Sequence, residues 1–385
     1  MLSPVAAGAV LCVLFLIAHL VARKSHFFSR QLEREAAASR FLALDGLRGL
    51  LALSVFVHHA AITQAFLHTG AWQTPPSRFY TNLGQGGVAL FFATTAFLFW
   101  TKGLTSEHNF NMQILLWSRV CRLVPMYLVS ALLALSIVAT LTKFHLMQSI
   151  PTVVKQVLLV FAFGFAAPNE INGILNAWTL LFSVAWSLAY EWMFYLLLPL
   201  ALLFSRGIGL VILLAAASVF IAAFSTSSVE WYFIAGIVSA AIIRRNPMKI
   251  VHFLRGHLAA ALGIISLAVA IFGFDSAYGL QPAVPLFVFF LIIVGGNTLW
   301  GLLASRAARL LGMVSYSIYL LHSMVLFIFF RMTDGRALGI FAFWFAVAVA
   351  GIFIVLLSTL TYRVVEYPFL QRRYPDWLSG IGTRA

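Results

Sequence analysis

The sequence predicts an all-α polytopic membrane protein of about eleven transmembrane helices, with a re-entrant or interfacial helix near residues 151–167. Three observations carry this. Of the 385 residues, 62% are hydrophobic and only 9% charged, with a mean hydropathy of +0.97; a soluble domain runs at roughly 45–50% apolar and about 25% charged. Apolar runs of the roughly 20 residues needed to cross a bilayer recur along the whole chain. The 25 Lys and Arg sit singly at the margins of those runs, as cations flanking spans do. A net charge of +14 so dispersed does not make the dense basic face that nucleic acid requires.

Taken in order, the run at 5–22 lacks a positive n-region and is followed by Arg23 and Lys24. It is expected to stay as an outside-to-inside anchor rather than be cleaved as a signal peptide. Residues 1–40 thus form an N-terminal anchor with a basic cytoplasmic linker. Further spans are predicted near 41–66, 84–101, 123–142, 177–204, 208–224, a short one at 230–243, then 258–274, 283–303, 311–331 and 337–362. These build one membrane domain over 41–373, leaving 374–385 as a short cytoplasmic tail. The stretch 151–167, opened by Pro151 and broken by Gly164, is kept out of the count because of charge. With eleven spans and Met1 outside, 20 of the 25 cations fall on the inner side, the bias of the positive-inside rule. A twelfth span would turn the cluster from Arg244 to Arg255 outward. Cys12 and Cys121 offer neither a disulfide framework nor a metal-ligand spacing, and no metal site is expected.

Ionisable groups within spans are costly and point to function. In the second span, Arg48 and His59 are separated by ten residues. That offset returns to within about 20° of the same helix face after a rise of about 16 Å. Asp45 lies three residues before Arg48, within pairing reach, whereas His58 points about 80° away. In the fourth span Arg119 and Arg122 occupy i and i+3, presenting two guanidiniums, whose forks suit phosphate. Glu191 lies mid-span in the fifth, one turn after Ser187 and next to Tyr190. Ser315, Tyr319 and His322 follow i, i+4, i+7, one polar stripe. At the end of the last span, Arg363 and Glu366 are expected as an interfacial ion pair.

In order along the chain, these motifs resemble the acyltransferase-3 family of integral-membrane O-acyltransferases. The likeness rests on Leu44-Asp45-Gly46-Leu47-Arg48 with the spacing to His59, on Gly84 through Phe92, and on Arg119-x-x-Arg122-x-x-Pro125-x-Tyr127. It continues through Trp186-Ser187-Leu-x-x-Glu191-x-x-Phe194-Tyr195, Ser315 through His322, and Glu366-x-Pro368. Two features depart from the pattern: Thr95-Ala96-Phe97 replaces a usual Ser-Gly-Phe, and Trp192 stands where a second acid often follows Glu191. Against that family, the span at 5–22 looks like an addition to a ten-span core.

The resemblance implies transfer of an acyl group, most often acetyl from acetyl-CoA, to a sugar hydroxyl of a cell-surface or exported glycan or glycolipid. Acetyl-CoA or another acyl-CoA would be a co-substrate, with no bound cofactor. The residues read alongside it fit. Arg48, Arg119 and Arg122 would hold the CoA phosphates, and His59 is the natural general base near neutral pH. Glu191 would orient His59 if it reaches it, as the acid of a triad does. Asp45, Ser187, Tyr190, Tyr319 and His322 are supporting candidates. The expected place is the inner (cell) membrane of a bacterium, multi-pass, with the N-terminus outside and the C-terminus cytoplasmic. The alternative reading is a proton-coupled small-molecule transporter, which also buries His and Glu, although no transporter-like internal repeat is visible.

Overall fold

A computed structural model describes residues 4–38, 41–105, 111–245, 248–333 and 335–372. It is almost entirely helical, and a helix lies at every predicted span. Among the described residues, eight helices are long and apolar enough to cross a membrane. They are α1 (Pro4–Lys24), α3 (Leu42–Thr69), α4 (Arg78–Thr105), α5 (Met112–Leu141), α7 (Phe182–Leu203), α8 (Gly207–Phe224), α14 (Ser315–Met332) and α15 (Ile340–Thr361), the last running on to Leu370. A ninth forms if α10 (Met248–Leu254) and α11 (His257–Phe272), bent by 66°, make one broken span. The remaining two of the eleven predicted spans are α9 (Trp231–Arg244) and α12 (Leu280–Val294), both shorter. The span expected at 283–303 ends early because Gly295 caps the helix and the chain turns through Gly296 at φ +103°.

The stretch read as re-entrant or interfacial is α6 (Ile150–Val160), with Pro151 in its first turn. Its 11 residues rise only about 16 Å, half a bilayer core. The chain then enters a small antiparallel hairpin, β1 (Glu170–Ile171) with β2 (Ile174–Leu175). Residues 26–38, expected within a linker, form the helix α2 (His26–Ala38). It docks on other helices through Arg306–Glu33 (2.8 Å) and Gln31 to the Tyr367 hydroxyl (3.0 Å).

Burial separates the centre from the rim. The membrane windows of α3, α4 and α14 are 67%, 72% and 72% buried, that of α8 only 6%; α8 presents its apolar side chains to lipid. Helices in lipid gain little from hiding apolar surface from one another, so close backbone approach does more of the work. The Leu-Asp-Gly-Leu-Arg motif shows how. A Cβ on Gly46 would overlap the Leu303 carbonyl, and one on Gly312, in α13 (Arg306–Met313), the Asp45 carbonyl. The motif's glycine therefore lets α3 lie backbone-to-backbone against its neighbours around α13, and that contact sets the rotation of α3 and the direction of Arg48.

Candidate active site

Arg48 on α3, Arg119 and Arg122 on α5, and Ser187, Glu191 and Tyr195 on α7 line one cavity with Ser315, Tyr316 and Tyr319 of α14; it encloses about 260 Å³. Two spans thus deliver three guanidiniums to one space. Helix α5 begins at Met112, so Arg119 and Arg122 lie two turns inside it rather than at its opening. The Arg119 guanidinium stacks 4.8 Å over Phe99 and 6.0 Å from the Tyr195 ring. Tyr316 donates to the Leu123 carbonyl (2.8 Å), tying α14 to α5 beside Arg122. Arg48 and Arg122 both line this space without a salt bridge among the described residues.

A smaller cavity of about 50 Å³ is lined by Glu35, Asp45, Arg48, Arg122 and Tyr362. Arg48 and Arg122 line both spaces. Glu35 comes from α2, outside the spans, and its carboxyl is pushed above the ordinary range, first by burial and then by the nearby Asp45 charge.

His59 lies one long step up α3. Its Nδ1 is 2.8 Å from Nε2 of His322 on α14, and the two rings are 4.9 Å apart. His322 Nδ1 in turn lies 3.0 Å from the Ile318 carbonyl. The order of donors follows from chemistry. A carbonyl only accepts, so His322 carries its proton on Nδ1; in the neutral ring Nε2 then holds a lone pair and accepts. His59 must donate from Nδ1, which leaves its Nε2 as an unprotonated base. His58 plays another part: its Nδ1 donates to the Tyr80 carbonyl (2.7 Å), and its ring fills the space where a Cβ on Gly84 would stand.

Beyond the pair lies a third cavity of about 320 Å³, lined by Thr63, Phe66, Trp72, Ser323, Phe327, Phe330, Arg331 and Arg336. Trp72 stacks on His59 at 6.1 Å. On the other side Tyr319, in the arginine cavity, lies 6.2 Å from His322. Two helices give the same order: Arg48, His59, then Thr63 and Phe66 along α3, and Tyr316, Tyr319, His322, then Ser323 and Phe327 along α14. The imidazole pair separates an arginine-lined cavity from an aromatic one.

Two expectations are corrected. Glu191 does not meet His59; its Oε1 accepts from the Tyr195 hydroxyl one turn along α7, within the arginine cavity. The place expected for Glu191 beside His59 belongs to His322. Nor do Arg363 and Glu366 pair. A π-helical turn over Tyr362–Glu366 rotates Glu366 inward, where Ser317 donates to it (2.5 Å), while Arg363 lies over the Phe27 ring at 5.3 Å. Of the supporting candidates, Ser187 and Tyr319 share a hydrogen bond (2.8 Å) in the arginine cavity. Tyr190 turns away to Ser227 (3.1 Å), and Asp45 lines the smaller, 50 Å³ cavity. Sequence reasoning missed Trp72, Arg331 and Arg336, which stand in loops or at a helix end and belong to no motif.

Fold and site together define a multi-pass membrane protein with a half-buried arginine cluster beneath a buried imidazole pair. Over residues 41–363 the chain matches the model of the acyltransferase-3 family, described as an acyltransferase domain. The match covers most of the chain, and the protein belongs to that family; it is a membrane acyltransferase. No curated protein and no solved structure matches the chain.

Proposed function

We propose that the protein moves an acyl group, acetyl in the first instance, from acyl-CoA on the cytoplasmic side to a sugar hydroxyl of an exported or cell-surface glycan, in the inner membrane of a bacterium. The observation that carries this reading is the order along α3 and α14: arginine cavity, imidazole pair, aromatic cavity. A donor with phosphates and a thin pantetheine arm suits the first, a sugar suits the last, and the base lies between them, reached through Tyr319 on one side and Trp72 on the other.

In this reading the acceptor hydroxyl gives its proton to His59 Nε2 while its oxygen attacks the thioester carbonyl. The tetrahedral intermediate then collapses, the new ester forms, and the C–S bond breaks. The leaving thiolate takes the proton back from His59, so the enzyme returns unchanged. His322 is a positioning residue: it holds His59 in the tautomer with a free Nε2 and keeps accepting from Nδ1 when His59 is charged. Such a base contributes roughly 10²–10⁴-fold. The Ser187 and Tyr319 hydroxyls are candidates for the developing oxyanion, and either would have to turn from its bond to the other or to the Val184 carbonyl to donate to it. Glu191 holds Tyr195 and offsets arginine charge that would otherwise be unbalanced in the membrane.

Mass spectrometry of surface glycans from a deletion strain against the parent tests this. Loss of an acyl substituent that returns with the intact gene, and not with His59→Ala, is the expected outcome. An unchanged glycan profile with altered uptake of a small molecule would replace the reading with transport.

A further inference from the structure

The aromatic cavity has an electrostatic feature that acyl transfer to a neutral sugar does not need. In the orientation set by charge, only Arg78, Lys143, Lys155, Arg331 and Arg336 lie on the outer side. Arg78 is neutralised by Asp275 at 2.6 Å. Two of the other four, Arg331 and Arg336, converge on one cavity, the one that reaches His59 through Trp72. Cations are depleted from this face, so two at one opening call for a local cause.

No carboxylate lines the cavity among the described residues. Asp334 stands between the two arginines in sequence and lies outside the described residues; even counted in full it leaves the 331–336 loop at a net +1. Arg331 and Arg336 are exposed, so their guanidinium forks are open to water and to a ligand entering from it. The floor is different: Trp72, Phe66, Phe327 and Phe330 supply flat apolar faces, and Thr63 and Ser323 supply hydroxyls beside the imidazole pair. An indole face suits the C–H face of a pyranose ring, while guanidinium forks suit carboxylate or phosphate.

We propose that this cavity is the acceptor subsite and that the acceptor sugar carries an anionic group, held by Arg331 and Arg336 while the ring rests against Trp72. The inference rests on the acyltransfer reading for the word acceptor, but the binding it asserts does not. The anionic group belongs to the sugar itself, as in a uronic acid, or to a phosphate joined to it.

The test is titration calorimetry of the full chain in detergent with three probes: methyl glucoside, methyl glucuronide and glucose 1-phosphate. One or both anionic sugars should bind about ten-fold more tightly than the neutral one, the low end for charge-assisted contacts open to solvent. The better of the two identifies the source of the charge. The advantage should shrink with added salt, vanish in Arg331→Gln/Arg336→Gln and largely survive in Arg331→Lys/Arg336→Lys. Equal affinity for all three probes, or an advantage that persists in the glutamine pair, overturns the subsite. Acetyl-CoA turnover is followed separately on the same samples. Its absence while the anionic preference stands overturns the acyltransfer reading alone; turnover on a neutral sugar without any anionic preference overturns the subsite alone.

Discussion

The two cavities on either side of the imidazole pair hold arginines in opposite ways. Arg48, Arg119 and Arg122 project from membrane helices and are half-buried, where an unmatched charge is expensive. Arg331 and Arg336 stand in the last turn of α14 and in the loop after it, both exposed, where a charge costs little. The inner group is therefore built into the fold, with stacking on Phe99 and a carboxylate, Glu191, in the same space. The outer pair can change without disturbing the helices. The arginine cavity inside the bundle is thus the costly half of the pair, and the arginines of the aromatic cavity the adaptable one.

Substitutions on each side put that contrast to the test. The largest effect should come from the boundary between the halves. His59→Ala should lower transfer by about three orders of magnitude while calorimetry shows acetyl-CoA and sugar probes still binding. Loss of both binding events instead would make His59 a structural element of the two cavities.

Next, His322→Ala should reduce kcat by roughly ten- to a hundred-fold with KM for both substrates nearly unchanged, since it removes orientation of the base rather than binding. His322→Gln, whose amide oxygen can still accept from His59 Nδ1, should recover part of the loss. A variant pair that behaves identically would remove the tautomer argument.

Within the halves the effects should divide by side. Arg119→Gln should raise the donor KM by about ten-fold and alter kcat less, because phosphates far from the thioester bind equally in ground and transition states. The same measurement on Arg331→Gln/Arg336→Gln should show an unchanged donor KM. Equal shifts in both would mean that the cavities are one site and the comparison fails.

The smallest effect on chemistry should come from the neighbour that shares a residue type with the base. His58→Ala should cost about 1–3 kcal/mol of stability through the lost bond to Tyr80 and the space left over Gly84. Transfer per folded molecule should hold, read as a lowered Tm in detergent with kcat within about two-fold.

Much of this is legible in the residues alone. Apolar length and cation placement identify the spans, though not α2, and an eleven-residue offset puts His59 rather than His58 on the face of Arg48 because helical pitch decides which residues of one span share a face. The i and i+3 arginines and the Ser315–Tyr319–His322 stripe are legible for the same reason. Partners are harder to read. Glu191 has a face but no visible partner in the sequence, and the hydroxyl that meets it is Tyr195, from its own helix. Arg363 and Glu366 would share an interface on a regular helix; a π turn places them apart.

Composition and helical pitch are enough to say that the chain threads a membrane as helices and which polar groups are carried into it; the order of its motifs adds the resemblance to the acyltransferase-3 family. Packing alone settles that His59 answers to His322 across 263 residues, that Glu191 stays among the arginines, and that Trp72, Arg331 and Arg336 close on one space. Period and composition are properties of a single helix, written in its residues. Which faces meet depends on how closely backbones approach, and here that is set by contacts such as Gly46 on Leu303 and Gly312 on Asp45, each made between residues far apart in the chain.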